Sequence, residues 1–237
     1  MSVQISPRNR ILIVAACIAV ALFLVFAPPL PQSESYHDFA DKRAILGIPN
    51  FWDVISNLLF LVVGLMGLFR FRDLASRILF FGVLATAFGS AYYHLAPDSA
   101  RLFWDRLPMT IAFMALFALA INQRRLVVPL VLFGIVSVVW WRITDNLWLY
   151  GLVQFGTMAV LLIVAIRREP GLWPVFIFYG LSKVTEHFDK QIYSISPLSG
   201  HTIKHLLAGI ATWYIYRWVQ TSRSEPRPET YPVVEPA

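Results

Sequence analysis

The chain has 237 residues, 57% of them hydrophobic and only 14% charged, with a mean hydropathy of +0.61. That balance excludes an ordinary soluble domain and leaves no polar stretch long enough for a second domain. A net charge of +6 would suit a nucleic-acid partner, but the basic residues lie in short loops between apolar runs and form no patch, so membrane topology accounts for them and nucleic acid is set aside.

Crossing about 30 Å of hydrocarbon takes roughly 20 apolar residues in a helix. Eight such runs follow in order: Ile11 to Ala27, Phe51 to Phe69, Ile78 to Leu95, Leu102 to Ile121, Leu126 to Trp141, Leu147 to Ile166, Leu172 to Phe188 and His201 to Val219. The first follows Arg8 and Arg10 and has the shape of a signal sequence. It ends in Ala27-Pro-Pro-Leu-Pro without a small-x-small cleavage pattern, so it reads as a retained anchor. The single Cys17 lies inside this run, so the chain has no intrachain disulfide.

The organisation expected is an N-terminal anchor over 1–30, an extracytoplasmic loop over 31–50, a seven-helix core over 51–219 and a disordered tail over 220–237, rich in Pro, Glu and Arg. The fold class is therefore all-α, a polytopic transmembrane bundle with one span added to a seven-span core. Arg residues crowd the segments around Arg8, Arg70, Arg124, Arg167 and Arg217, whereas the alternate segments hold only Lys42, Arg43, Arg101, Arg142 and Lys190. The enriched side is expected to be cytoplasmic, which puts both termini inside. Short loops favour a bacterial inner membrane over the endoplasmic reticulum or Golgi.

On this topology Ser90 and His94 fall in the outer part of the third span, Asp105 near the start of the fourth, and His201 and His205 at the start of the eighth. Ionisable groups inside a bilayer mark functional sites. Ser90 and His94 are four apart, as are His201 and His205, so each pair shares a helical face. Two imidazoles so spaced can share a metal ion with a third from another helix. Catalytic zinc takes three protein ligands and keeps a position open, a count that His94, His201 and His205 fit. Asp105 could then hold the attacking water, and Ser90 could donate to an oxyanion.

Singly, each residue has a plainer reading. A His-x3-His pair is a weak motif, a membrane Ser commonly bonds its own helix, and Asp105 could be a helix-start acid. A proton relay through His94, Asp105, Glu186 and His205 is a further alternative, which would make the chain a proton-coupled transporter.

Together the residues resemble the alkaline ceramidase family, seven-span zinc-dependent lipid amidases grouped with the adiponectin receptors. The matching stretches are Phe51-Trp-Asp-Val-Ile-Ser-Asn57, Gly89-Ser90 with His94, Asp105-Arg-Leu-Pro-Met109, and His201 with His205 and Gly209. The resemblance implies zinc on His94, His201 and His205, water activation by Asp105, support of the metal site and carbonyl by Ser90, and a ceramide-like membrane lipid as substrate. A zinc-containing receptor of the adiponectin-receptor type is the alternative within the same group, against which the short tail and the lack of a sizeable cytoplasmic domain count.

The chain departs from the family pattern at Arg106, where an acid is usual, and at Lys204, where an aromatic is usual. The resemblance also implies a calcium site in the loop before Phe51. Here that leaves Asp38, Asp41 and Asn50 as candidate ligands, with Arg43 where a neutral ligand is expected. Asp189 stands where the family often has an acid that could orient a ligand His. Its neighbours Lys183 and His187 read as snorkelling residues.

Overall fold

The computed structural model describes residues 7–167 and 169–224. The expected tail from residue 225 onward lies outside the described residues. The elements described are helical, with one isolated bridge between Ile45 and Ile48. In order they are α1 (Pro7–Phe26), α2 (Phe51–Ile55), α3 (Leu58–Arg70), α4 (Leu74–Leu95), α5 (Ser99–Ala120), α6 (Val127–Thr144), α7 (Trp148–Gly151), α8 (Thr157–Arg167), α9 (Trp173–His187), α10 (Asp189–Tyr193) and α11 (Gly200–Ser224). Each of the eight expected runs is helical over most of its length.

The differences have local causes. The helix counted from Ile78 begins at Leu74, because Asp73 caps it by accepting the Ser76 N–H at 3.1 Å; the polar Arg77 had hidden that first turn from an apolar count. The run from Phe51 is broken at Ser56 and Asn57, whose side chains donate to the Asp53 carbonyl at 3.1 and 2.8 Å and compete with the helical ladder. A π turn at Leu152–Gly156 interrupts the sixth run and turns the buried Gln154 towards Tyr179. The last helix runs to Ser224, five residues beyond Val219.

Among the described residues five segments are long and apolar enough to cross a membrane: Phe51–Arg70, Leu74–Leu95, Ser99–Ala120, Arg124–Thr144 and Trp148–Arg167. Their outward faces are apolar too, with Phe88 63% and Ile143 78% exposed. Such surfaces suit lipid rather than water.

α4 and α5 pack extensively against each other, and α11 lies against both α9 and α3. Two glycines allow these close approaches: a Cβ on Gly89 would collide with the Trp104 carbonyl of α5, and one on Gly209 would come within 2.6 Å of Leu59. Both lie within a turn or two of the polar residues singled out above. At the end of the bundle where α4 stops and α5 starts, the loop from Ala27 to Asn50 folds back over the helices. Ala40 N–H donates to Asp189 at 2.8 Å, and His37 bonds Tyr93 at 2.7 Å and Ser99 at 3.1 Å.

Candidate metal centre and lipid cavity

His94 on α4 and His201 and His205 on α11 meet beneath this loop. The ring centroids are 4.8 Å apart for all three pairs, and the Nε2 atoms of His94 and His201 are 3.3 Å apart. The rings are 1%, 2% and 4% exposed. Two ligand nitrogens at about 2.05 Å from one tetrahedral ion are separated by roughly 3.3 Å, so this spacing is what a shared ion requires. Among the described residues these three form the group of His, Cys, Asp or Glu side chains placed to hold a metal.

The ring of His205 is held from behind. Ser56 Oγ lies 2.8 Å from its Nδ1 and donates its own proton to the Asp53 carbonyl, which itself lies 3.2 Å from the same nitrogen. With the Ser56 hydroxyl proton so committed, Nδ1 carries the hydrogen and Nε2 is left as the lone-pair donor. Asp53 is fully buried and is fixed by Thr202 Oγ1 at 2.6 Å. Outer partners of this kind typically tune metal affinity 10- to 100-fold. Ser56→Ala is accordingly expected to weaken metal binding at this group by about that factor with the melting temperature little changed, as read by competition with a fluorescent chelator.

Asp189 acts on the backbone of a histidine rather than on its ring. Its Oδ1 accepts the His201 N–H at 2.8 Å at the start of α11, and its Oδ2 accepts Ala40 N–H, so one carboxylate ties the loop to the helix. Phe39 then lies over the imidazoles, 4.1 Å from the His201 ring and 4.8 Å from the His94 ring. The loop side of the centre is closed.

The other side opens on a cavity of about 910 Å³ whose wall includes Ser90, Asp105 and His205. Ser90 and Asp105 stand on this same stretch of wall. Arg106, Lys183, Glu186 and Lys204 add to this polar part of the wall, and the rest is mostly apolar, with Leu79, Val83, Leu116 and Met158 among it, a lining suited to hydrocarbon. The cavity thus joins a polar end, at Ser90, Asp105 and His205, to an oily chamber.

The calcium candidates are placed differently. Asp38 is paired with Lys42 at 2.7 Å and Lys190 at 2.6 Å, and hydrogen bonds from Lys190 and Lys42 bring its pKa down to about 2. Burial pushes Asp41 up, but the Arg43 guanidinium at 2.6 Å outweighs it and holds the group below the ordinary carboxylate value. Asn50 donates its amide to the His94 carbonyl at 2.7 Å. Both carboxylates already have cationic partners, and Asn50 serves the end of α4.

Sequence reasoning had no role for Asp53, Ser56 or Phe39. A signal for the first two was present, since Asp53 and Ser56 are polar residues three apart on one face of an apolar run. Nothing local marks Phe39, whose contacts come from a loop. Lys183, expected at an interface, instead bonds Glu186 at 2.9 Å on the cavity wall, and Lys204 bonds the same carboxylate at 2.5 Å.

The model of the ceramidase family matches residues 44–170, which is 127 of the 237 positions. The match takes in Ser90, His94 and Asp105 and stops short of His201 and His205. No curated protein matches the chain.

Proposed function

This chain belongs to the ceramidase family, and from that premise we propose that it is an integral-membrane, zinc-dependent amidase cleaving the N-acyl amide of ceramide-like lipids to a sphingoid base and a free fatty acid. The observation that carries the reading is the equilateral arrangement of three buried imidazoles with one edge on an oily cavity.

Three imidazole nitrogens within 4.8 Å of one another, with no thiolate among them, favour zinc. An ion held there would supply Lewis acidity to the amide carbonyl and lower the pKa of water from 15.7 towards about 7. Asp105, on the same cavity wall as His205, takes the proton that water gives up and passes it to the departing amine nitrogen. Ser90 supports Asp105 and donates to the carbonyl oxygen as negative charge gathers on it. Direct attack by Ser90 is disfavoured because all three histidines at this site are committed as ligands, which leaves no base for the hydroxyl. The acyl chain lies along Leu79, Val83 and Met158, so the scissile bond stays at the polar end while the hydrocarbon remains out of water.

We assign the seven-span core to 51–219 and the anchor to 1–30, with both termini cytoplasmic. The centre then lies near the extracytoplasmic face, under the loop over 31–50. The charge bias of the connecting segments supports this orientation.

The test is fatty acid release from ceramide by the purified protein in liposomes, with metal counted per chain. Dialysis against a chelator is expected to abolish release and added zinc to restore it. Undiminished turnover by protein stripped of metal would overturn the reading.

A further inference from the structure

The polar end of the cavity carries more positive charge than the proposed amide chemistry uses. Arg106, Lys183 and Lys204 line it against two carboxylates, Asp105 and Glu186. Lys183 and Lys204 come from different helices and grip the two oxygens of Glu186 at 2.9 and 2.5 Å, so one carboxylate serves two ammonium groups. Each ammonium has three N–H donors, and among the described residues each gives one of them to a hydrogen bond.

Arg106 is 6% exposed and has no carboxylate partner among the described residues. Its Nη2 donates to the neutral Gln32 at 2.6 Å, its charge lies over Trp141 and Tyr150 at 4.3 and 4.7 Å, and its Nη1 has no partner. Tyr36 links the two clusters, lying 5.6 Å from Arg106 and bonding Glu186 at 3.4 Å. A divalent ion on three neutral imidazoles would add further positive charge. In surroundings this apolar, unbalanced charge is retained where a ligand of opposite sign completes it.

We propose that the lipid amide taken by this cavity carries an acid group, a phosphate, sulfonate or carboxylate, next to its polar end, and that Lys183 and Lys204 bind that group across Glu186 with Arg106 contributing to the field. A neutral diol headgroup would call for a balanced set of donors and acceptors rather than surplus ammonium groups. The proposal rests on the amidase reading for the word substrate, but the anion site itself is independent of hydrolysis.

Two measurements on the full-length purified protein separate the issues. The first is binding of dodecyl phosphate and dodecyl sulfonate against dodecanol, followed by titration calorimetry in neutral detergent. The acidic amphiphiles are expected to bind at least about tenfold tighter, Lys183→Gln to lose most of that advantage, and Glu186→Gln to increase it. Opposite signs for the two variants set charge recognition apart from structural damage, which would weaken both. The second is the ratio of kcat/KM for N-acyl lipids of equal chain length with and without an acid headgroup, expected to favour the acidic lipid and to fall about tenfold in Lys183→Gln.

Tight anion binding without cleavage of any N-acyl lipid would uphold the site and sink the amidase reading. Cleavage with no preference for the acidic lipid, and no advantage of phosphate over alcohol, would overturn the present proposal alone. Tight binding of laurate with no preference between intact lipids would assign the lysines to the fatty acid product and equally overturn it.

Discussion

Replacing His205 with alanine is expected, on the amidase reading proposed above, to remove the bound metal and to lower ceramide turnover by at least about three orders of magnitude, some 4 kcal/mol of transition-state stabilisation. Among the three imidazoles, His205 is the one that also forms part of the cavity wall, so its loss strikes the metal and the substrate-facing edge together. Two ligands remain in the variant, and two imidazoles without a third make a weak zinc site. Ser56 and the Asp53 carbonyl lose their shared partner, but Ser56 still donates to that carbonyl at 3.1 Å, so no donor is orphaned by the change. The helix around position 205 favours alanine, and α11 is expected to form as before. Metal content by mass spectrometry, set beside the melting curve, is the deciding pair of measurements. Wild-type turnover in a folded His205→Ala protein would remove the imidazole triad from the mechanism.

Asp105→Asn is expected to give the complementary result, full metal content with turnover reduced about 10²- to 10⁴-fold, or roughly 3 to 5 kcal/mol. Asparagine keeps the shape of the side chain, so the architecture of α4 against α5 is preserved. It cannot accept a proton from water at neutral pH. Since Asp105 is not one of the three ligands, the number of ions per chain is expected to stay the same. Equal rates for Asp105→Asn and the parent, at equal zinc, would show that another group moves the proton. Lost metal in Asp105→Asn would place the residue in the ligand set.

Much of this molecule was legible in its order of residues, for reasons that lie in single helices. Hydrocarbon-length runs and their polar breaks are one-dimensional features, and each of the eight was found as a helix over most of its span. The four-residue spacing of Ser90 with His94, and of His201 with His205, put each pair on one face before any packing was known. Where boundaries slipped, a cap or a side-chain bond to backbone was responsible, as at Asp73 and at Ser56 with Asn57.

Other parts could not be read that way. The role of Phe39 depends on how a loop of two dozen residues returns over the bundle. Lys183 read as a snorkelling residue and Lys204 as a departure from the family pattern, and only the meeting of α9 with α11 makes them partners of one Glu186. Arg43, which on paper argued against a cation in the loop, is the residue that neutralises a buried Asp41.

The sequence by itself determined which segments are helical, which faces carry imidazole or carboxylate, and that those groups stand in an apolar medium, because hydropathy and the 3.6-residue period are properties of neighbours along the chain. The tertiary structure alone decided that His94 meets a histidine 107 positions away, since that depends on which helices lie side by side and how closely. Closeness was set by side-chain volume, with Gly89 and Gly209 leaving room for α5 and α3, and no local pattern specifies which helix will occupy the space a glycine leaves.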